Sequence, residues 1–307
     1  MTLRAAVAVG GGTGLPRVLE CLLRGGFDTT AVVTVADDGG SSGHLRRELG
    51  ILPPGDIRNC LVALAEPGNE LARVFQYRFP EGEGLAGHAL GNLIIAALAD
   101  LEGSFASAVE EAGRLLGVRG RVLPSTLADV VLSGCDAAGR LVTGQVNVAL
   151  SQGPVRTVSL EPALPQAYGP ALEAIGSADV IVVGPGSLFT SIIPNFLVAG
   201  VADAVRESDA LVVYVCNVAN QRGETSAMDA ADHTEALLKH GLEGAVDVVI
   251  VNATPIDAEE CPVCATPDAI ARIERHGIRV VSADLADRTS PLHHDPDRLY
   301  HALAGVW

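Results

Sequence analysis

The stretch Ala5-Ala6-Val7-Ala8-Val9, continuing into Gly10-Gly11-Gly12-Thr13-Gly14 and then Leu15-Pro16-Arg17, decides the fold. Five small apolar residues read as a strand buried on both faces. The glycines that follow lack Cβ atoms, so successive backbone N–H groups can turn toward one anion. The positive end of a helix starting at Leu15 adds to the same field. Pro16 suits a first helical turn, where an N–H has no partner inside the helix. Strand, glycine turn and helix in this order predict a phosphate cradle. It is not the dinucleotide fingerprint, because Leu15 stands where the third glycine belongs, nor a P-loop, which ends in Gly-Lys-Ser/Thr. The tubulin signature also continues with a glycine at that position.

Working outward, near-continuous Val/Ile/Leu runs at residues 31–36, 180–183, 211–216, 246–251 and 278–282 read as strands of a parallel sheet covered on both faces. Helical patterns lie between them at 15–24, 57–65, 89–100, 104–116, 229–239 and 267–276. This alternation predicts an α/β fold: a Rossmann-like, doubly wound, mostly parallel sheet. Residues 121–160 break the rhythm, with 128–133 and 141–149 flanking a turn at 135–139. They predict an antiparallel hairpin, either an insertion or an edge extension on the main sheet, within a single domain of residues 1–307. The apolar stretch 192–198 reads equally as an interface or a buried helix, so self-association as a homo-oligomer stays open.

Apolar residues make up 48% of the chain, yet the longest apolar runs fall far short of the ~20 residues of a membrane span. No signal peptide precedes the first strand, which predicts a cytoplasmic protein without a membrane partner. A net charge of −16 argues against nucleic acid as a partner, so any phosphate must be captured locally. Six cysteines are scattered without a disulfide pattern. Cys261-Pro262-Val263-Cys264 has the spacing of half a metal site but no matching second pair, and its role stays open.

Candidate binding residues cluster where strands end. After the first strand come Gly11, Gly12, Thr13 and Gly14. After the second come Asp37 and Asp38, then Ser41 and Ser42. Two adjacent carboxylates beside a phosphate suit either a hard cation such as Mg²⁺ or the hydroxyls of a ribose or sugar; the alternative is a turn that caps the next helix. Asp56 occupies an N-cap position. In the first turn behind it Arg58 opposes the helix dipole, which an anion would relieve, and Asn59 is a modest helix former. His88 and Asn92, four apart, share a helical face, with His88 either capping or touching ligand. Gly184, Gly186, Ser187 and Thr190 repeat the first cradle after a later strand, and Asn217 ends the next. No order of Ser, His, Asp or Cys suggests a covalent nucleophile.

The blocks GGGTGLPRVL (10–19), VVTVADDGGSSGHLRRELGILPPGDIRNCLVAL (32–64), FQYRF (75–79), GHALGN (87–92), VVGPGSLFTSIIPN (182–195), VCNVANQRGET (215–225) and DHTEAL (232–237) closely resemble the gluconeogenesis factor family. That family belongs to the 2-phospho-L-lactate transferase-like superfamily. The resemblance implies a Rossmann-like core with a bound nucleotide. In the transferase branch it implies transfer of a phospholactyl-type group from a guanosine diphosphate-activated donor to a deazaflavin hydroxyl. Asp38 and Asp56 match the acidic residues that hold the divalent cation. The gluconeogenesis factor branch implies a cytoplasmic UDP-sugar-binding regulator of cell shape and cell-wall synthesis during growth on gluconeogenic carbon, acting on a protein partner. The Gly-Gly-Ser-Ser-Gly-His loop and Arg58-Asn59 belong to this second branch. In that reading Gly11 to Gly14 and Gly186 to Thr190 cradle phosphates, while Asp37, Asp38, Ser41 and Asn217 contact hydroxyls.

Overall fold

The computed structural model describes residues 3–136, 138–151, 153–254, 256–257 and 261–307. Strand β1 (Ala5–Gly10) leads into helix α1 (Leu15–Arg24) and then to β2 (Asp28–Val33) at its side. Helices α2 (Gly40–Leu49), α3 (Gly55–Leu64), α4 (Glu70–Gln76), α5 (Leu90–Glu102) and α6 (Phe105–Leu116) precede β3 (Gly120–Pro124), which forms one edge of the sheet.

The chain then leaves this sheet. It makes β4 (Val131–Asp136), β5 (Leu141–Thr143), a short helix α7 (Gln145–Ala149) and β6 (Val155–Glu161) before returning as β7 (Val180–Val183) on the other side of β1. Strands β8 (Leu211–Val215), β9 (Val248–Asn252) and β10 (Arg279–Ala283) continue outward from there. The main sheet therefore reads β3-β2-β1-β7-β8-β9-β10, parallel throughout. Its central strands are buried on both faces: every residue of β7 is fully buried, as are Ala8, Val9 and Ala31 to Val33. Covering both faces removes any period-two pattern, which is why these strands read as unbroken apolar runs.

The doubly wound parallel sheet stands as expected, and so does the antiparallel hairpin insertion, as β4 paired with β5. Residues 128–161 form a separate three-stranded antiparallel sheet in the order β5-β4-β6, and not an extension of the main one. The expected strand at 141–149 stops at Thr143. Gly144, at φ +97°, turns the chain into α7, whose first amide groups are held from outside by Asp38. Ala137, in the expected turn, lies outside the described residues. The edge strand β3 escaped the sequence reading because five residues with one glycine and one proline carry little periodicity. Gly120 is needed there, since a Cβ would sit 2.4 Å from the carbonyl oxygen of Thr29.

The stretch 192–198 is a buried helix: Ile192 and Ile193 are inaccessible and Phe196 and Val198 nearly so. Among the described residues no helix is long and apolar enough to cross a membrane.

Candidate functional site

Strands β1 and β7 are neighbours, but the chain winds away from them in opposite directions. Such a reversal leaves a crevice beyond the carboxyl ends of the two strands, because the loops following them diverge. The two glycine loops predicted as cradles, at Gly10 to Gly14 and Gly184 to Thr190, flank this point. They pack backbone to backbone: a Cβ on Gly14 would lie 2.4 Å from Pro185 O, and one on Gly186 3.0 Å from Gly11 O. Asn195 ties them together, donating from Nδ2 to the carbonyls of Gly10 and Ser191 at 3.1 and 2.9 Å.

The second loop is filled by the protein itself. Gly186 N–H donates to Asn217 Oδ1 at 3.1 Å, and Asn217 Nδ2 returns a bond to Gly186 O at 2.7 Å. Ser187 Oγ donates to Gln221 Oε1 at 2.6 Å. Glu224, fully buried, accepts from Phe189 N at 2.7 Å and Thr190 Oγ1 at 3.2 Å. Its carboxylate occupies the positive end of the helical turn beginning at Leu188, where an external phosphate was expected. Burial pushes the Glu224 carboxyl up to about 7, with the bonds from Phe189 and Thr190 only partly offsetting it. Of the donors expected to face a ligand here, Gly186 N–H bonds Asn217, the Thr190 hydroxyl bonds Glu224, Asn217 Nδ2 bonds Gly186 O, and Gly184 N–H bonds Val9 O. Gly186, Ser187 and Asn217 of this group line the crevice, together with Gln221.

The carboxylates after β2 part company in the same way. Asp38 accepts from Gln145 N and Val146 N, both at 2.9 Å, one bond on each oxygen. It caps α7 across 107 residues of chain. Asp37 instead faces inward, accepting from Gly39 N at 2.9 Å and from the Ser42 hydroxyl. Ser42 Oγ in turn receives Gly55 N–H at 3.1 Å and pins the start of α3. Asp56, on that first turn, accepts from Gly12 N–H, and its Oδ2 lies 2.7 Å from where a Gly11 Cβ would be. Burial first, and the charge of Asp37 second, push the Asp56 carboxyl up to about 6. The acidic pair beside the glycine loop is therefore Asp37 with Asp56, where the sequence pointed to Asp38 with Asp56. Asp38→Ala is expected to destabilise the fold by about 1–2 kcal/mol through loss of the cap, measured by urea melting. Unchanged stability would remove α7 from Asp38's care.

A third group lies where α2, α3 and α5 begin. Ser41 Oγ receives Asn92 Nδ2 at 3.0 Å and Ala89 N at 3.4 Å and contacts His88 Nδ1 at 3.1 Å. The His88 ring stacks edge-on with His44 at 5.1 Å between centroids. Arg58 bonds Asn92 and Asn59, and Asn59 also accepts from Gln76 Nε2 at 3.3 Å.

The crevice itself encloses about 250 Å³ and is lined by Thr13, Gly14, Arg17, Ser187, Gln221 and His293, among others. Arg17 and His293 were not anticipated. Arg17 sits in the first turn of α1, and the argument made for Arg58, an arginine opposing the helix dipole, applied to it equally. His293 arrives from a loop near the C-terminus, fixed by the contact of His294 Nε2 with Cys216 O at 3.1 Å and by Ser290 Oγ to His293 Nδ1 at 2.8 Å. Nothing near residue 293 in the sequence signals it. Among the described residues no group of three or more His, Cys, Asp or Glu is arranged to hold a metal ion, and none of the six cysteines forms a disulfide.

The family described as 2-phospho-L-lactate transferase CofD matches residues 6–286. A protein called gluconeogenesis factor in Bacillus subtilis is 44% identical over 279 residues, covering 91% of this chain and 85% of that protein. Another of the same name in Halalkalibacterium halodurans is 46% identical over 256 residues, covering 83% and 80%. A crystal structure of a Bacillus halodurans protein superposes with a TM-score of 0.93 at 40% identity, covering 99% of this chain and 100% of that one.

Proposed function

This chain belongs to the 2-phospho-L-lactate transferase CofD family, in its gluconeogenesis factor branch, and from that premise we propose that it is a UDP-sugar-binding regulator serving growth on gluconeogenic carbon. The observation that carries the reading is the crevice between β1 and β7. There a glycine loop, the start of α1 and Arg17 offer donors to a diphosphate, while Ser187, Gln221 and His293 stand opposite. Its volume of about 250 Å³ lies just below the ~300–1,000 Å³ of ordinary ligand pockets, so it takes a diphosphate with one ring and leaves the rest of a nucleotide sugar over the open cleft. Asp37 and Asp56, at the edge of the glycine loop, suit sugar or ribose hydroxyls. In this reading the liganded chain acts in the cytoplasm on a protein partner of cell-wall synthesis and controls cell shape.

The test is calorimetry and thermal shift with UDP-N-acetylglucosamine, UDP-glucose, GDP and NAD, each with and without Mg²⁺. A ligand at about a hundred times its dissociation constant stabilises the fold by roughly 2.7 kcal/mol, which melting resolves. Arg17→Ala is expected to weaken UDP-sugar binding about tenfold or more, since a charge-assisted hydrogen bond is worth about 1.5–3 kcal/mol, without lowering the melting temperature of the ligand-free protein. Affinity unchanged by Arg17→Ala would remove the crevice from consideration.

A second reading, Mg²⁺-dependent transfer of a phospholactyl-like group from a nucleotide diphosphate donor to a hydroxyl, is favoured by one observation. Beside the glycine loop the charge of Asp37 adds to burial in raising the proton affinity of Asp56, a repulsion that a cation would relieve. These two carboxylates fit Mg²⁺ completed by ligand oxygens; bound there, the ion would neutralise charge on the phosphates. Asp38 instead holds the first amide groups of α7, one on each oxygen. Release of nucleoside monophosphate with donor, acceptor and Mg²⁺, lost in Asp56→Asn, would establish this reading over the first.

A further inference from the structure

The nucleotide crevice makes no use of Arg58, and folding alone gives a poor account of it. Arg58 is 5% exposed. Its Nη1 and Nη2 donate to neutral amide oxygens, Asn92 Oδ1 at 2.8 Å and Asn59 Oδ1 at 2.7 Å. Its Nε is buried without a partner, and among the described residues it makes no ion pair. A buried cation without a counter-charge is costly, and an apolar side chain of the same volume would pack there at no such penalty.

Its surroundings add positive charge instead of cancelling it. Arg78, exposed and bonded to Gly87 O, is close enough to depress the proton affinity of both Arg58 and His88. His44 stacks on His88. Asp56, two residues earlier on α3, offsets this charge from a distance but forms no ion pair with the guanidinium. The first turns of α2 and α5 meet at this place through Ser41, so two helix N-termini contribute to the same field. Neither helix carries a side-chain cap at that end.

We propose that Arg58, Arg78 and His88 form a subsite for a small oxyanion, the phosphoryl or carboxylate group of a metabolite, distinct from the crevice between β1 and β7. It goes beyond the nucleotide reading and does not depend on it. Helix α3 links the two places: its Asp56 touches the glycine loop at Gly12, and its Arg58 touches α5. A bound oxyanion would supply the missing partner for the guanidinium and give the protein a second chemical input beside the nucleotide.

The experiment is calorimetric titration of the full chain, free of nucleotide, with inorganic phosphate and, separately, citrate. Phosphate heat without citrate heat assigns the site to phosphoryl groups, the reverse to carboxylates, and either one supports an oxyanion site. Arg78→Ala, at an exposed position that leaves the fold intact, is expected to weaken binding by about ten- to a hundredfold. Arg58→Met is expected to abolish it and, in anion-free buffer, to melt at or above the wild-type temperature, because the unpaired charge has gone. Arg17→Ala, which disables the crevice, leaves the binding in place. No heat with either anion overturns the proposal, as does binding that survives in Arg78→Ala or disappears in Arg17→Ala. An Arg58→Met protein that melts well below wild type in anion-free buffer shows a structural arginine and overturns it too.

Discussion

Gly14→Ala is expected to destabilise the protein by about 2–3 kcal/mol and to abolish binding in the crevice. The added Cβ would lie 2.4 Å from Pro185 O, 2.8 Å from Pro185 C and 3.2 Å from Gly186 N. All three are backbone atoms, so no side chain can rotate away, and relief requires the loop after β1 to separate from the loop after β7. That separation strains the attachment of both strands and spreads the donors that line the crevice. Gly12 makes the comparison: its φ of +69° disfavours alanine, but its nearest neighbour is the Ser191 hydroxyl at 3.3 Å, which can move. Gly12→Ala should therefore cost only about 1 kcal/mol. Denaturant melting and UDP-sugar titration of the pair check this. A Gly14→Ala protein as stable as Gly12→Ala would mean the two loops do not meet as described.

Glu224→Ala is expected to be about as damaging, on the order of 3 kcal/mol, because it leaves Phe189 N–H and the Thr190 donors buried without an acceptor. Glu224→Gln keeps an acceptor and removes only the charge, and its effect depends on pH. With the folded carboxyl near 7 and an unfolded value of 4.5, the native state holds a proton that the unfolded state releases between those values. Wild-type stability from this group is undiminished below pH 4.5 and falls as pH rises through 7, by up to the order of 3 kcal/mol. His233 and His294, both buried and lowered to about 4, act in the opposite direction between pH 4 and 6.5 and are common to both proteins. The difference between Glu224→Gln and wild type isolates the carboxyl: the variant should gain relative stability from pH 5 to 7 and level off above that. A difference that is flat with pH would mean that Glu224 is already ionised at no cost.

Both predictions turn on contacts that the sequence announced only in part. The glycines at 14 and 186 signalled close approach at a strand end, and the structure supplies the partner of each: the other loop. Glu224 lies in the VCNVANQRGET block (215–225) after β8, where its sequence context carries no sign that it fills the second loop. From the residues alone, a strand followed by glycines and hydroxyls reads as a nest waiting for an external phosphate. Only the position of β8 next to β7 brings Glu224 and Asn217 to fill it.

Asp37 and Asp38 show the same limit at closer range. Adjacent residues at a strand end project to different sides, so one reaches the start of α3 and the other a helix that follows 107 positions later. No local feature distinguishes them, because each is an acidic residue in a turn. What the sequence by itself determined was everything that depends on about ten consecutive residues: β1 with its glycine turn and α1, the unbroken apolar strands that require a sheet covered on both faces, and the positions of polar clusters at strand ends. Which of those clusters stays open to a ligand was decided only by tertiary structure. A donor or carboxylate is available to a ligand only if no part of the folded chain already satisfies it, and strand order and loop packing determine whether one does.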